Sequence, residues 1–145
     1  MDIYYRLSDK GRRSNKPDYI SIENCLRNFL NHFSDYCITI IADNCSDETI
    51  ELIHTITQGN KIKVLQTSLG NSASFVYTVN YILRQPLEDD TIIYLVEDDY
   101  LHLDNSAKIL QEGFKYADYV TLYDHPDKYN PFVCDGGEET TVFLT

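Results

Sequence analysis

The chain has 145 residues, 43% of them apolar, enough for one α/β domain with a core of its own. Twelve Lys and Arg stand against 23 Asp and Glu, a formal charge of −11. That balance speaks against a nucleic-acid backbone or an anionic membrane as partner. It leaves room for a nucleotide, whose phosphates one bound metal ion offsets locally.

The opening residues Met1-Asp-Ile-Tyr-Tyr-Arg6 carry no apolar signal, and no apolar run approaches the ~18 residues of a membrane span. A cytoplasmic protein without a transmembrane segment is therefore expected. Cys25, Cys37, Cys45 and Cys134 show neither a Cys-x-x-Cys pair nor zinc spacing, so reduced thiols are expected, with Cys25 and Cys37 in the core. Asn44-Cys-Ser46 spells a glycosylation acceptor and is read as chance in a chain without a secretory signal.

In chain order, residues 2–8 read as a first strand. Residues 9–17 form a polar, glycine-containing loop with Lys10, Arg12, Arg13 and Lys16, the concentrated basic cluster of an acidic chain. It is either a solvated loop or a phosphate-contacting one. Ser21 caps a helix whose Ile22, Cys25, Leu26, Phe29, Leu30 and Phe33 recur on one face. Residues 37–42 are a second buried strand. Ser46 then caps a helix with Asp47 and Glu48 in its first turn and Ile50, Ile53 and Ile56 inward. Gly59 stops it. Residues 61–66 are a third strand. A turn over 68–74 leads into a third helix, with Phe75, Val79, Ile82 and Leu83 on its buried side and Pro86 after its end.

Residues 91–96, a β-branched and apolar run, read as a fourth strand buried on both faces. Glu97, Asp98 and Asp99 follow without a break. At about 5 Å and an effective dielectric near 20, each ionised neighbouring pair repels by roughly 3 kcal/mol. A divalent cation would relieve this, and hard oxygen ligands suit Mg²⁺ or Mn²⁺. In extended chain Glu97 and Asp99 point one way and Asp98 the other, which assigns Asp98 to structural hydrogen bonds. A solvated acidic turn is the plain alternative. Residues 103–106 cap a fourth helix carrying Ala107, Leu110, Phe114 and Ala117; residues 119–123 and 140–145 read as fifth and last strands.

Strands alternating with helices imply an α/β fold, a three-layer α/β/α sandwich on a mostly parallel sheet, in a single domain. Ligands of such sheets sit at the carboxyl ends of the strands. The polar residues that need explaining fall there: Arg6 and Ser8, Asp43, residues 68–71, and Glu97, Asp98 and Asp99.

On two local motifs the chain resembles the family-2-type glycosyltransferases, nucleotide-diphospho-sugar enzymes of the GT-A fold. Ile40-Ile-Ala-Asp-Asn-Cys-Ser-Asp-Glu-Thr-Ile-Glu-Leu-Ile53 is similar to their strand-end D-(D/N)-x-S-x-D-x-T, and Tyr94-Leu-Val-Glu-Asp-Asp-Tyr100 to their D-x-D, with Glu97 in place of the first Asp. Leu69-Gly-Asn-Ser-Ala-Ser-Phe75, with Asn71, stands loosely where the family has a third nucleotide-facing loop. The resemblance implies a UDP- or GDP-type sugar donor and an Mn²⁺ or Mg²⁺ ion held by Asp99 with Glu97. It also implies base contact by Asp43, base or ribose contact by Arg6 and Ser8, and Asp98 near the ribose or sugar. Transfer to an acceptor hydroxyl would invert the anomeric centre. The acceptor half is short: Asp135 and Glu138 are the candidate base, or members of a hairpin turn. The alternatives are a non-catalytic nucleotide-sugar-binding module or a truncated transferase, more remotely a nucleotidyltransferase, and a receiver-like signalling domain whose acids would sit after the wrong strand. His102 and His125 near the same edge are either contacts or structural, and Tyr4, Tyr5, Tyr94 and Tyr100 either stack on a ligand or pack.

Overall fold

β1 (Asp2–Leu7) and β2 (Cys37–Asp43) are the inner strands of a four-stranded parallel sheet, flanked by β3 (Ile62–Thr67) and β4 (Ile93–Glu97) in the order β3-β2-β1-β4. The computed structural model describes residues 1–10 and 16–123. The chain divides into two compact units, Met1–Asp104, which holds the sheet, and Asn105–Thr145.

Helices α1 (Ile22–Phe33), α2 (Asp47–Thr57) and α3 (Asn71–Ile82) connect the strands and cover both faces. Successive strand residues point to opposite faces. Tyr5 accordingly packs on Phe29 of α1, centroids 4.7 Å apart, while Tyr4 meets Tyr81 of α3 edge-on at 6.2 Å. α1 also packs against α2. The chain steps from β1 to β2 to β3 in one direction, then returns to place β4 on the far side of β1. The strand order thus reverses between β1 and β4, where open α/β sheets form their crevice. The order also separates the fold from a receiver, whose sheet runs 2-1-3-4-5.

Sequence periodicity is realised most fully in α1. Ile22, Cys25, Leu26, Phe29, Leu30 and Phe33 are all buried, and the Ser21 hydroxyl accepts from Asn24 N at 3.1 Å. In α2 the Ser46 hydroxyl accepts from Thr49 N at 3.3 Å, Ile53 is fully buried, and Ile50 and Ile56 are half-buried beside it. Gly59, at φ +86°, ends that segment in a conformation open to glycine at no cost.

Four expectations are corrected. β4 is not buried on both faces: it is an edge strand of the described sheet, with Val96 buried and Leu95 40% exposed. β1 and β2, lying between neighbours, carry the doubly buried runs instead. α3 turns its apolar stripe outward. Ser74 and Thr78 face inward, while Phe75 and Leu83 are 44% and 76% exposed and Val79 and Ile82 half-buried. The small side chains let the helix approach the sheet, and Thr78 satisfies its hydroxyl on Ser74 O at 2.8 Å. Cys37 is exposed at the first position of β2, whereas Cys25 is buried; these two thiols and Cys45 are free.

The fourth correction falls in the second unit. Residues 119–123 form no strand; Val120 instead covers Gly113, where an added Cβ would lie 2.7 Å from a Val120 methyl. α4 (Ser106–Gly113) stops there, short of Ala117. The strand expected over 140–145 lies outside the described residues. No helix among them is long and apolar enough to cross a membrane.

Candidate functional site

The strand register sets the site. Arg6 pairs with Glu97 across β1 and β4, Leu7 with Ala42 across β1 and β2, and Asp43 with Thr67 across β2 and β3. The carboxyl ends of all four strands therefore open at one level. A cleft of about 470 Å³ lies there, lined by Arg6, Ser8, Asp43, Asn71, Glu97, Asp98 and Asp99. All seven sequence-expected binding residues within the described chain thus share one opening. Lys10, Lys16, Asn44, Gly70 and Ser74 join them. Asp135 and Glu138 lie outside the described residues, as do Arg12, Arg13 and His125.

Arg6 organises the crevice between β1 and β4. Its side chain is 10% exposed. Nη1 donates to Glu97 Oε1 at 2.8 Å, and Nη2 donates to both the carbonyl and the side-chain oxygen of Asn71, each at 2.8 Å. The guanidinium lies over the Phe75 ring, 5.4 Å from its centroid. Its Nε is buried without a partner. One cation thus ties the end of β4 to the first turn of α3.

Asp43 is 4% exposed. Oδ1 accepts from Thr67 Oγ1 and Leu69 N, both at 2.8 Å; Oδ2 accepts from Gly70 N at 2.9 Å and Asn44 Nδ2 at 3.0 Å. Burial pushes its pKa up, but the donors, led by the Leu69 amide, outweigh this and hold it below the usual carboxylate value. This aspartate shapes the β3–α3 loop: it fixes Gly70, which enters α3 at φ +86°, where a side chain would be strained. Any contact from a base ring must come to a carboxylate already holding four donors.

Asp9 does similar work at the end of β1. It accepts from Ser46 N, the capping residue of α2, at 2.6 Å. Burial raises its pKa, but the Ser46 amide, the Thr49 and Ser46 hydroxyls and the Lys10 charge together outweigh this and hold it below the usual carboxylate value. The sequence reading gave no role of their own to Asp9, Asn44, Gly70 and Ser74, although the last three fall within the quoted segments. Asn44 sits at φ +52°, and Asn directly after a strand-end Asp was the available signal for that turn.

The three consecutive carboxylates are each held differently. Glu97 is bound to Arg6. Asp98 Oδ2 accepts from Ser8 N at 3.2 Å, the structural role that strand alternation assigned to it. Asp99 Oδ2 is paired with Lys16 Nζ, and its Oδ1 is buried without a partner. The repulsion expected of the cluster is thus relieved by Arg6 and Lys16. Among the described residues no three carboxylates, histidines or cysteines converge as a ready-made metal site. The hard oxygens of Glu97 and Asp99, one of them unmet, still fit Mg²⁺ or Mn²⁺ in donor chemistry.

His102 fastens the segment that follows. Its backbone N–H donates to Asn28 Oδ1 at 2.6 Å, and Asn28 Nδ2 donates to its carbonyl at 3.0 Å. The ring packs edge-on to Phe33 at 4.9 Å and shares a 2.9 Å hydrogen bond with the Tyr94 hydroxyl. Burial, with His32 adding to it, pushes its pKa down to about 4, so the ring is neutral at pH 7. It is a clamp on α1, outside the cleft lining, and Tyr94, Tyr4 and Tyr5 are likewise packing residues.

Comparison with family models, with curated proteins and with solved structures returned no match.

Proposed function

We propose that the chain binds a nucleoside-diphosphate sugar in this cleft, as a GT-A-like domain, and transfers the sugar to an acceptor hydroxyl. What supports the reading is the meeting of the seven residues expected to bind, from four strand ends, in one opening at the reversal of the sheet. The first-motif and D-x-D-like segments bear on opposite sides of it, through Asp43 and Asp99.

In this proposal Gly70 and Asn71, at the entrance to α3, lie against the base and ribose, with Asp43 holding their backbone in place. Lys10 and Lys16 turn their ammonium groups to the diphosphate, and the Arg6 guanidinium adds positive charge to the same cleft. Asp99 with Glu97 would hold Mn²⁺ or Mg²⁺. Such an ion acts as a Lewis acid on the departing diphosphate. The attacking hydroxyl must lose a proton, which calls for a carboxylate base on the acceptor side. Inversion at the anomeric carbon remains what the family resemblance implies.

Calorimetric titration of the full chain with UDP and GDP, each with and without Mn²⁺, tests the proposal. One of the two should bind in the micromolar to millimolar range and more tightly with the metal. Absence of binding by both, in either condition, refutes it. Binding without release or transfer of sugar from the matching donor identifies a non-catalytic module instead.

A further inference from the structure

The two cations that neutralise the acidic turn are not equivalent. Arg6 belongs to β1, is nine-tenths buried, and makes three further contacts, two with Asn71 and one with the Phe75 ring. Releasing it from Glu97 would disturb the sheet edge and α3 together. Lys16 precedes α1, is 32% exposed, and makes one hydrogen bond among the described residues, to Asp99. Its ammonium sits on a flexible four-carbon stem. The carboxylate it holds is half satisfied, because Asp99 Oδ1 is buried without a hydrogen-bond partner among the described residues. Of the two cations paired with the acidic turn, one is therefore fixed and one exchangeable, and the exchangeable one rests on a carboxylate that suits a divalent ion.

Building on the nucleotide-binding proposal, we infer that Lys16 occupies the cation position at Asp99 in the ligand-free protein and leaves it for the donor's phosphates when nucleotide and metal ion enter together. Three consequences follow from charge alone. A divalent ion arriving without nucleotide must break the Lys16–Asp99 pair with no phosphate to replace it, so metal alone binds weakly. A nucleotide gives the displaced ammonium a phosphate to pair with, so metal and nucleotide bind cooperatively. The coupling is reciprocal, each ligand tightening the other by the same factor. The protein thereby avoids loading its carboxylates with free metal and discriminates for a metal–diphosphate pair.

The test is an electron-spin-resonance titration of the full chain with Mn²⁺ alone, in the wild type, Lys16→Gln and Lys16→Arg, with circular dichroism and urea midpoints to confirm that each is folded. Removing a unit positive charge from beside a divalent ion should tighten Mn²⁺ binding about tenfold in K16Q. K16R, which keeps the charge, should stay near the wild type. Repeating the titration with saturating UDP or GDP should show the nucleotide enhancing Mn²⁺ binding in the wild type and about tenfold less so in K16Q. Equal Mn²⁺ affinity in wild type and K16Q, tighter binding by the wild type, or no Mn²⁺ binding by either overturns the inference. If K16Q gains Mn²⁺ affinity while no nucleoside diphosphate binds to any of the proteins, the cation exchange at Asp99 stands and the nucleotide reading fails.

Discussion

Asp43→Asn keeps the size and shape of the side chain and changes one oxygen into a donor. In the wild type each carboxylate oxygen accepts two hydrogen bonds: Thr67 and Leu69 on one, Gly70 and Asn44 on the other. Whichever way the amide turns, its NH₂ faces two donors, so two charge-assisted bonds are lost. At about 1.5–3 kcal/mol each, the cost is about 3–6 kcal/mol, against a typical total stability of about 5–15 kcal/mol. Urea unfolding followed by circular dichroism reads this directly. With a slope of about 1–3 kcal/mol per molar, the midpoint should fall by at least about 1 M. The pH dependence gives an independent check of sign. Asp43 has its folded pKa held below its ordinary value of 3.8, so its contribution is present above that value and fades as pH falls through the lower, folded one. The gap between wild type and D43N should therefore be widest near neutral pH and narrow below pH 4. A D43N midpoint within about 0.3 M of wild type, or a gap that does not change in acid, would show that the aspartate does not hold the β3–α3 loop.

Three other outcomes are expected. His102 is neutral when folded, with a pKa of about 4 against an ordinary 6.5, so the unfolded chain takes up the extra proton and stability falls as pH drops from 6.5 towards 4; His102→Phe should flatten that part of the urea-midpoint profile. In a Cys134→Ser background, one thiol should react quickly with a disulfide reagent at pH 8: Cys37 is exposed, Cys25 is fully buried, and burial pushes the Cys45 thiol up to about 11. The orientation of α3 separates two core assignments: Phe29→Ala, at a fully buried ring, should cost about 3–5 kcal/mol, while Leu83→Lys should stay within about 0.5 kcal/mol, both read by urea unfolding.

Where sequence and structure agree, a local rule and a tertiary demand coincide. The six apolar positions of α1 are spaced for one face, and one sheet face is there to receive them. Ser21 and Ser46 are capping residues with open amides two or three positions ahead. The convergence of the strand ends was legible for the same reason, because parallel strands joined by crossover helices present all their carboxyl ends at one edge of the sheet, whatever the strand order. α3 was misread because its sheet-facing positions are filled by Ser74 and Thr78; the rule that apolar residues face inward fails where close approach matters more than area. β4 was misread because β-branched composition reports strand formation, not the number of neighbours a strand acquires. The acidic turn was read as a divalent-cation site or a solvated turn; its ion pairs were not foreseen, since Arg6 lies 91 residues from Glu97 and Lys16 lies 83 from Asp99, beyond any local pattern.

The most direct measurement of the central claim is a ¹H–¹⁵N correlation spectrum of the full chain recorded during titration with UDP or GDP and Mg²⁺. The account predicts saturable shifts grouped at Ser8, Asn44, Gly70, Asn71 and Asp98, the ends of four strands around one cleft, with the amides of α2's last turn unmoved. Shifts confined to a different surface, or none at millimolar nucleotide, would contradict it.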